Sequence, residues 1–328
     1  MANILITPDN INFTLDENET ILMAGLRNKL NMPHQCKNGV CGSCKCKVIS
    51  GIIEHDEYNE KTLTKEELHE GYSLLCKAHA KTDVVLDIPN LLNSFPIKML
   101  PAKVESLEKF NQVAVIKLKT PSNMPFQFHA GQYIDIMLSG KNRSYSVANS
   151  PTVEGIIELH IKYHASGIFS EFIWNEAKEQ SLLRFRGPLG NFYLRDTDKP
   201  AVLVCTGTGF APIKSIIENM LATNNKRSIT LYWGNRNLED FYMLDLIKFW
   251  QNHLNIKVNL CLSAESGDGF FRGRVTTAIL KDFRDLTNYE VYACGNPTMT
   301  EDVFNLATSK LNLPKENFLS DAFTPSVL

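Results

Sequence analysis

The chain has 328 residues, with 34 lysines and arginines against 36 aspartates and glutamates, a formal net charge of −2. That balance excludes a partner recognised by bulk charge, such as nucleic acid or an anionic membrane. The usage of 44% hydrophobic and 21% charged residues excludes a disordered or fibrous chain, and the length calls for about two or three hydrophobic cores.

The first residues, Met1-Ala-Asn-Ile-Leu-Ile-Thr-Pro8, carry no basic segment ahead of a long apolar run. No apolar run anywhere approaches the roughly 20 residues of a membrane helix, so the expectation is a cytoplasmic chain without membrane association. Alternation over 3–6 and 11–15 predicts a hairpin, and apolar positions at helical spacing predict a helix within 20–30. Thr64 followed by Glu67 is a capping-box signal for a short helix, and 83–88 reads as a late strand closing the sheet. The first 95 residues form a small α+β unit.

Pro89, Pro96 and Pro101 mark residues 90–101 as a connector. From 102 to about 195 short alternating strands (113–118, 133–137, 156–161) and one helical stretch (168–177) predict a small antiparallel barrel. After residue 198, apolar strands at 201–205, 229–233, 258–262 and 289–293 alternate with helices near 212–223, 240–251, 276–283 and 298–311, the pattern of a parallel α/β sheet. The expected domains are therefore 1–95, 101–197 and 198–328.

Eight cysteines in a reducing compartment point to metal binding or apolar packing rather than disulfides. Cys36, Cys41, Cys44 and the distant Cys76 give C-x4-C-x2-C…C, the plant-type ligand spacing of a 2Fe-2S cluster. Gly39 and Gly42 let the loop fold tightly, with backbone N–H groups free to face the sulfurs. Zinc would need paired knuckles, and only Cys41 with Cys44 has that form. Cys76-Lys-Ala-His79 imitates half of a Rieske motif, but no Cys-x-His precedes it, so His79 reads as a surface or capping residue. Cys46, Cys205 and Cys261 read as core residues.

In the barrel segment, Arg143-Ser144-Tyr145-Ser146 and Gly167-Ile-Phe-Ser170 suit a flavin dinucleotide. Arg143 can pair with a pyrophosphate, Tyr145 can cover the isoalloxazine, Ser146 can hydrogen-bond near its reactive nitrogen, and amides from Gly167 to Ser170 can hold phosphates. Each tetrad alone also fits a surface cation and a strand aromatic. Val202-Leu-Val-Cys-Thr-Gly207-Thr208-Gly209-Phe-Ala-Pro212 passes from strand to helix through a glycine turn, the context of a dinucleotide site and equally of ordinary α/β geometry. Cys294-Gly295-Asn-Pro297 ends another strand at what should be the same sheet edge. Cys294 reads either as a neighbour of the nicotinamide or as a small core residue. Arg236 is a single cation that suits a 2'-phosphate, but Glu239 and Asp240 follow it, so NADH is expected, with NADPH as the alternative.

These three signatures in this order resemble the iron-sulfur flavoprotein reductases of the ferredoxin-NADP reductase superfamily that carry an N-terminal ferredoxin domain. The shared motifs are R-x-Y-S (Arg143, Tyr145, Ser146), G-x-G-x-A-P (Gly207, Gly209, Ala211, Pro212) and C-G-x-P (Cys294, Gly295, Pro297). The resemblance implies a β-grasp 2Fe-2S domain, an antiparallel FAD barrel and a parallel-sheet NAD domain. It also implies an aromatic near the flavin, a role open to Phe323, and places Ser146, Cys294 and Phe323 at the reacting centre. The implied activity carries electrons from NADH through FAD and the cluster to a protein acceptor. Two subgroups share this order, reductases of CDP-6-deoxy-4-hexulose-3-dehydrase and reductases of aromatic ring-hydroxylating dioxygenases; overall resemblance and compact length favour the first. A non-catalytic redox sensor is the reading from another class. Residues 1–95 carry a net charge of −4, yet Lys37, Lys45, Lys47 and Lys77 flank the cysteines, either as a docking rim for an acidic partner or as a solvated face.

Overall fold

The computed structural model describes residues 2–34, 36–40, 42–88, 91, 95–253 and 256–323. The chain divides into two compact units, one built on Met1–Lys98 and the other on Met99–Arg186 with Phe192–Phe323.

In the first unit, strands β1 (Asn3–Thr7) and β2 (Ile11–Thr14) form the expected hairpin, followed by helix α1 (Ile21–Arg27). Thr20 caps α1 by accepting from Met23 N–H, and the helix stops short of residue 30 because Lys29 turns left-handed at φ +62°. Strands β3 (Lys45–Ser50) and β4 (Ile53–His55) precede helix α2 (Lys65–His69), whose Thr64–Glu67 capping box is present in both directions. Strands β5 (Tyr72–Leu74), β6 (Ala78–Ala80) and β7 (Val84–Asp87) complete the unit. The sheet order is β2-β1-β7-β3-β5, with β4 and β6 as a separate ribbon. The expected late strand is β7. It lies at the centre, parallel to β1 and antiparallel to β3, because Val84 and Leu86 are both buried in one core with Ile4, Ile6, Ile21, Leu22 and Leu74. Fully burying each such side chain is worth about 1.5–3 kcal/mol.

The second unit opens with β8 (Lys98–Phe110), β9 (Val113–Lys119), β10 (Tyr133–Leu138), β11 (Lys141–Ser146), β12 (Ile156–Lys162), helix α3 (Ile168–Asn175) and β13 (Leu182–Leu189). Strand β8 begins inside the expected connector and contains Pro101. Its pairing with β9 starts only at Lys103, so no ladder donor toward β9 is needed at the proline. The sheet order is β11-β10-β13-β8-β9-β12, and a bridge between Val147 and Leu159 joins its two ends into a barrel. Val104, Ile116, Ile134, Ile136, Leu159 and Phe185 fill it.

The same unit continues with β14 (Ala201–Thr206), α4 (Phe210–Ala222), β15 (Ile229–Asn235), α5 (Leu244–His253), β16 (Ile256–Leu262), β17 (Phe271–Arg272), α6 (Val275–Asp282), β18 (Glu290–Gly295), α7 (Pro297–Lys310) and β19 (Phe318–Ala322). Helix α5 starts later than its apolar pattern suggested. Residues Leu238–Asp240 form their own capped turn and bury Phe241 and Tyr242 ahead of the helix. All strand pairs are parallel, in the order β17-β16-β15-β14-β18-β19. The chain winds outward from β14 on one side, then returns to place β18 on the other, creating a switch point between β14 and β18. At the opposite edge Arg227 forms a buried 2.6 Å ion pair with Glu290 and donates to the carbonyls of Arg195 and Lys199. This pins the segment that leads into β14.

Candidate functional site

In the first unit, Cys44 and Cys76 are buried and Cys36 is half-buried, while Cys41 lies outside the described residues. The Cys76 sulfur accepts hydrogen bonds from the Cys44 thiol and from the Gly39 N–H, which hold its pKa below the ordinary thiol value against burial and the nearby Cys36. A donor set of three converging sulfurs with an inward amide fits an iron-sulfur cluster. Gly39 is required there on two counts: its φ is +80°, and a Cβ would lie 2.8 Å from Tyr58 Cβ.

His79 is not free to act as a Rieske ligand. Its Nδ1 lies 3.0 Å from the Glu19 carbonyl and its Nε2 3.0 Å from Asp56 Oδ2. Cys46 is buried on the sheet, and desolvation pushes its thiol far above the ordinary value, the behaviour of a core residue rather than a thiolate ligand. Within the expected lysine rim, Lys45 is tied to Glu67 at 2.7 Å, and the Lys37 and Lys47 side chains are exposed.

In the second unit, β11 carries Arg143, Ser144, Tyr145 and Ser146. Arg143 is half-buried and donates to the neighbouring Asn142 carbonyl at 2.9 Å. Ser144 donates to the buried Asp135 carboxylate across the strand pair at 2.6 Å. Tyr145 packs against Phe169 with ring centroids 5.0 Å apart, and burial raises its phenol. That contact brings the strand up to the start of α3, where Gly167 is the N-cap and supplies no side-chain cap to the first-turn amides. Ser170 faces inward: its hydroxyl donates to the His164 carbonyl at 2.8 Å and braces the loop rather than facing solvent.

At the switch point the glycine turn and the Cys294-Gly295 segment are interlocked. Gly207 has φ +54°, open to glycine and strained for other residues. A Cβ on Gly209 would overlap the Cys294 carbonyl, lying 2.7 Å from its carbon and 2.8 Å from Gly295 Cα. Gly295, at φ +123°, packs back on Thr206, whose hydroxyl accepts from Asn296 N–H. Thr208 is half-buried in the turn, and Pro212 sits in the first turn of α4, where no backbone donor is lost. Arg236 is exposed just beyond β15, with Asp240 capping Asn237 N–H and Glu265 accepting from Leu238 N–H, an acidic setting for any 2'-phosphate.

The flavin-motif and nicotinamide-motif strands meet at a residue the sequence did not single out. Ser146 Oγ lies 3.4 Å from Asp321 Oδ2, and Cys294 Sγ is 4.0 Å from the same oxygen. Burial drives the Asp321 carboxyl up to about 7, outweighing the opposing hydrogen bond from Ser146. Cys294 is fully buried, its thiol raised by desolvation, and Phe323 packs nearby on the same core, its N–H bonded to the Gly295 carbonyl at 2.8 Å. Only its position on β19, paired in register with Cys294, puts Asp321 there.

Comparison with known proteins finds three families in succession along the chain. Residues 4–81 match the 2Fe-2S iron-sulfur cluster binding domain, residues 102–193 the oxidoreductase FAD-binding domain and residues 203–304 the oxidoreductase NAD-binding domain. The chain is 38% identical over 329 residues to the CDP-6-deoxy-L-threo-D-glycero-4-hexulose-3-dehydrase reductase of Yersinia pestis, covering 99% of each protein. It is 30% identical to the reductase component of propane 2-monooxygenase from Mycolicibacterium smegmatis, covering 98% of this chain and 96% of that one. Among solved structures it is similar to the Amycolatopsis cytochrome P450 reductase GcoB, with a TM-score of 0.78, 27% identity and 99% of each chain covered. No helix among the described residues is long and apolar enough to cross a membrane. A β-grasp cluster domain, a flavin barrel and a parallel nicotinamide sheet in one chain, with full-length relatives of that organisation, place this protein in the family of iron-sulfur flavoprotein reductases, as an NAD(P)H-dependent oxidoreductase using a 2Fe-2S cluster and FAD.

Proposed function

We propose that this protein is the NADH-dependent reductase of a CDP-6-deoxy-4-hexulose-3-dehydrase, delivering electrons to that enzyme as its protein partner. The 38% identity across the whole length of a reductase of that name carries the reading. The domains divide at 1–95, 101–197 and 198–328, limits that enclose the three family matches.

Bound FAD would supply the change from two-electron to one-electron chemistry, and a 2Fe-2S cluster the onward one-electron transfer. Cys36, Cys41, Cys44 and Cys76 hold the cluster, with Gly39 N–H facing the Cys76 sulfur. Arg143 and the amides at the start of α3, from Gly167 to Ser170, bind the flavin phosphates; Tyr145 and Ser146 orient its ring, with Ser144 fixing their strand to Asp135. The Gly207-Thr208-Gly209 turn, continued by Pro212, binds the nicotinamide cofactor's pyrophosphate. Cys294 and Gly295 would flank the nicotinamide ring, and Phe323, packed on the same core as Cys294, would supply the aromatic near the flavin. Asp321, poised near neutrality, holds or releases a proton at Oδ2 beside Ser146 Oγ. The acidic surroundings of Arg236 favour NADH over NADPH.

Purified holoprotein mixed with NADH should bleach its flavin before the reduced-cluster paramagnetic signal appears. It should then support the dehydrase reaction at many turnovers when that partner is added. Flavin bleaching without any effect on the dehydrase, together with turnover of a terminal oxygenase, would replace this partner by the one that the propane monooxygenase reductase likeness favours. A redox sensor would show one reduction and no sustained turnover of artificial one-electron acceptors.

A further inference from the structure

A buried polar chain crosses from the barrel to the parallel sheet within the second unit, and neither set of cofactor-binding residues accounts for it. Lys214, on α4, is 5% exposed; its Nζ lies 3.0 Å from Glu158 Oε1 on β12, 2.7 Å from Glu218 and 3.3 Å from the Ala148 carbonyl. Glu158 Oε1 also lies 3.0 Å from His160 Nε2, and His160 Nδ1 lies 2.8 Å from the Tyr242 hydroxyl. A carboxylate can only accept, so His160 donates from Nε2 and its Nδ1 accepts the Tyr242 proton. Beside this chain, Ser215 Oγ donates to the Asn149 carbonyl at 2.7 Å.

The anchoring points are close to both cofactor motifs. Lys214 and Ser215 stand five and six residues beyond Gly209, about 7.5–9 Å along the helix. Ala148 and Asn149 stand two and three residues beyond Ser146. A shift of one anchor is therefore passed over a short lever to the residues that face the flavin or the nicotinamide. Adhesion between the two layers is already supplied by an apolar cluster that joins Val113, Val115 and Ala130 of the barrel to Phe210, Trp233 and Tyr242. Apolar contacts resist separation but allow sliding, whereas a hydrogen-bonded charge chain has one geometry. Buried ion pairs of this kind add little net stability and are retained in some proteins for specificity.

We propose that the Lys214–Glu158–His160–Tyr242 chain is a register lock whose members are positioning residues, setting the alignment between the nicotinamide turn and the flavin strand for hydride transfer. This rests on the reading of function above. The test uses the FAD-loaded, cluster-loaded protein as Tyr242→Phe, Lys214→Met and the charge-neutral double variant Lys214→Met with Glu158→Gln. Three quantities are read: FAD per chain, the NADH concentration dependence and limiting rate of flavin bleaching, and the long-wavelength charge-transfer absorbance formed on mixing with NADH.

The lock predicts unchanged FAD content and NADH affinity, a limiting rate reduced about tenfold or more, as expected for sub-ångström misplacement, and a weakened charge-transfer band. The double variant should recover much of the thermal stability lost in Lys214→Met, because the buried carboxylate is neutralised with its cation and the remaining one, Glu218, is partly exposed to solvent, but it should not recover the rate. Recovery of both, or a wild-type rate and band in Tyr242→Phe, would reduce the chain to scaffolding and overturn the proposal. If Lys214→Met fails to fold, Tyr242→Phe decides, since it removes one hydroxyl and no charge. Wild-type protein that is not bleached by NADH would remove the functional reading and this inference with it; bleaching in wild type with no change in the variants would remove the inference alone.

Discussion

The switch point offers the sharpest perturbation, Gly209→Ala. Gly209 has an ordinary helical backbone, with φ −58°, so alanine meets no dihedral strain. Its methyl group instead meets backbone: the Cys294 carbonyl, with its carbon at 2.7 Å, and Gly295 Cα at 2.8 Å. Neither can rotate aside, and normal contact demands that the ends of β14 and β18 part by about 1 Å, with an overpacking cost of about 1–3 kcal/mol. The same parting disturbs the Asn296 N–H bond to Thr206 and the Phe323 N–H bond to Gly295, which hold the segment beneath the proposed nicotinamide position. A displacement of that size at a reacting centre is worth about 100-fold in rate.

Gly207→Ala is the matched control, because a Cβ there meets nothing within 4 Å and only the left-handed φ of +54° is penalised, by about 1–2 kcal/mol. Stopped-flow bleaching of the flavin at saturating NADH, with FAD content and thermal unfolding measured in parallel, separates the two. Gly209→Ala should lose limiting rate far beyond Gly207→Ala at comparable stability, whereas Gly207→Ala should act mainly on KM for NADH. Equal limiting rates in the two variants would refute the claim that the β14–β18 contact sets the geometry.

Other outcomes follow from the same structure. Asp321→Asn should flatten the pH dependence of flavin bleaching between pH 6 and 8, measured by stopped-flow. Because its native pKa is raised to about 7, wild-type stability falls as pH rises from about 4 to 7 by at most about 4 kcal/mol, so the melting-temperature advantage of the asparagine variant should widen over that window. Glu158 behaves oppositely. Burial pushes its carboxyl up, but His160 and Lys214 together bring it to about 2, so its stabilisation is present above about pH 4.5 and fades toward pH 2; melting curves of Glu158→Gln should show a shallower acid limb. Arg227→Met should cost about 3–5 kcal/mol in unfolding experiments by leaving Glu290 charged and buried. Cys46→Ser should retain iron and labile sulfide by chemical analysis, whereas Cys76→Ser should lose them.

The sequence made visible what is encoded locally. The Thr64–Glu67 capping box and the glycine turn after β14 each depend on a few consecutive residues, the cysteine signature on a short loop with Cys36 and Cys44 plus the distant Cys76, and each has its structural counterpart. Strand β8 was hidden because Pro101 reads as a breaker, although the ladder toward β9 begins beyond it. The central place of β7 was hidden for another reason. Four residues reading Val84-Val-Leu-Asp87 look alike at an edge and at a centre, and only pairing with both β1 and β3 distinguishes them. Lys214 and Asp321 carry no local signal at all. An amphipathic helix tolerates a lysine anywhere on its polar side, and the burial of this one arises from β12, more than fifty residues earlier in the chain.

Three buried carboxylates of the second unit show how the fold divides its charges. Glu158 faces Lys214 and His160, and Glu290 faces Arg227, Tyr292 and Thr197; in both cases the partners overcome burial and the acid stays ionised. These two sit where one part of the chain must be held against another, Glu158 between barrel and helix α4, Glu290 beneath the segment entering β14. Asp321 is as deeply buried as Glu158; Ser146 donates to it and the Cys294 thiol lies beside it, and there burial outweighs the hydrogen bond. A carboxylate kept charged by cations is fixed in one protonation state across neutral pH and serves as a structural pin. One whose environment brings its pKa to neutrality can exchange a proton under working conditions. Of these three carboxyls, Asp321 is therefore the one whose protonation changes near neutral pH, and its pairing in register with Cys294 brings the two motifs that the sequence displays to a residue that it does not.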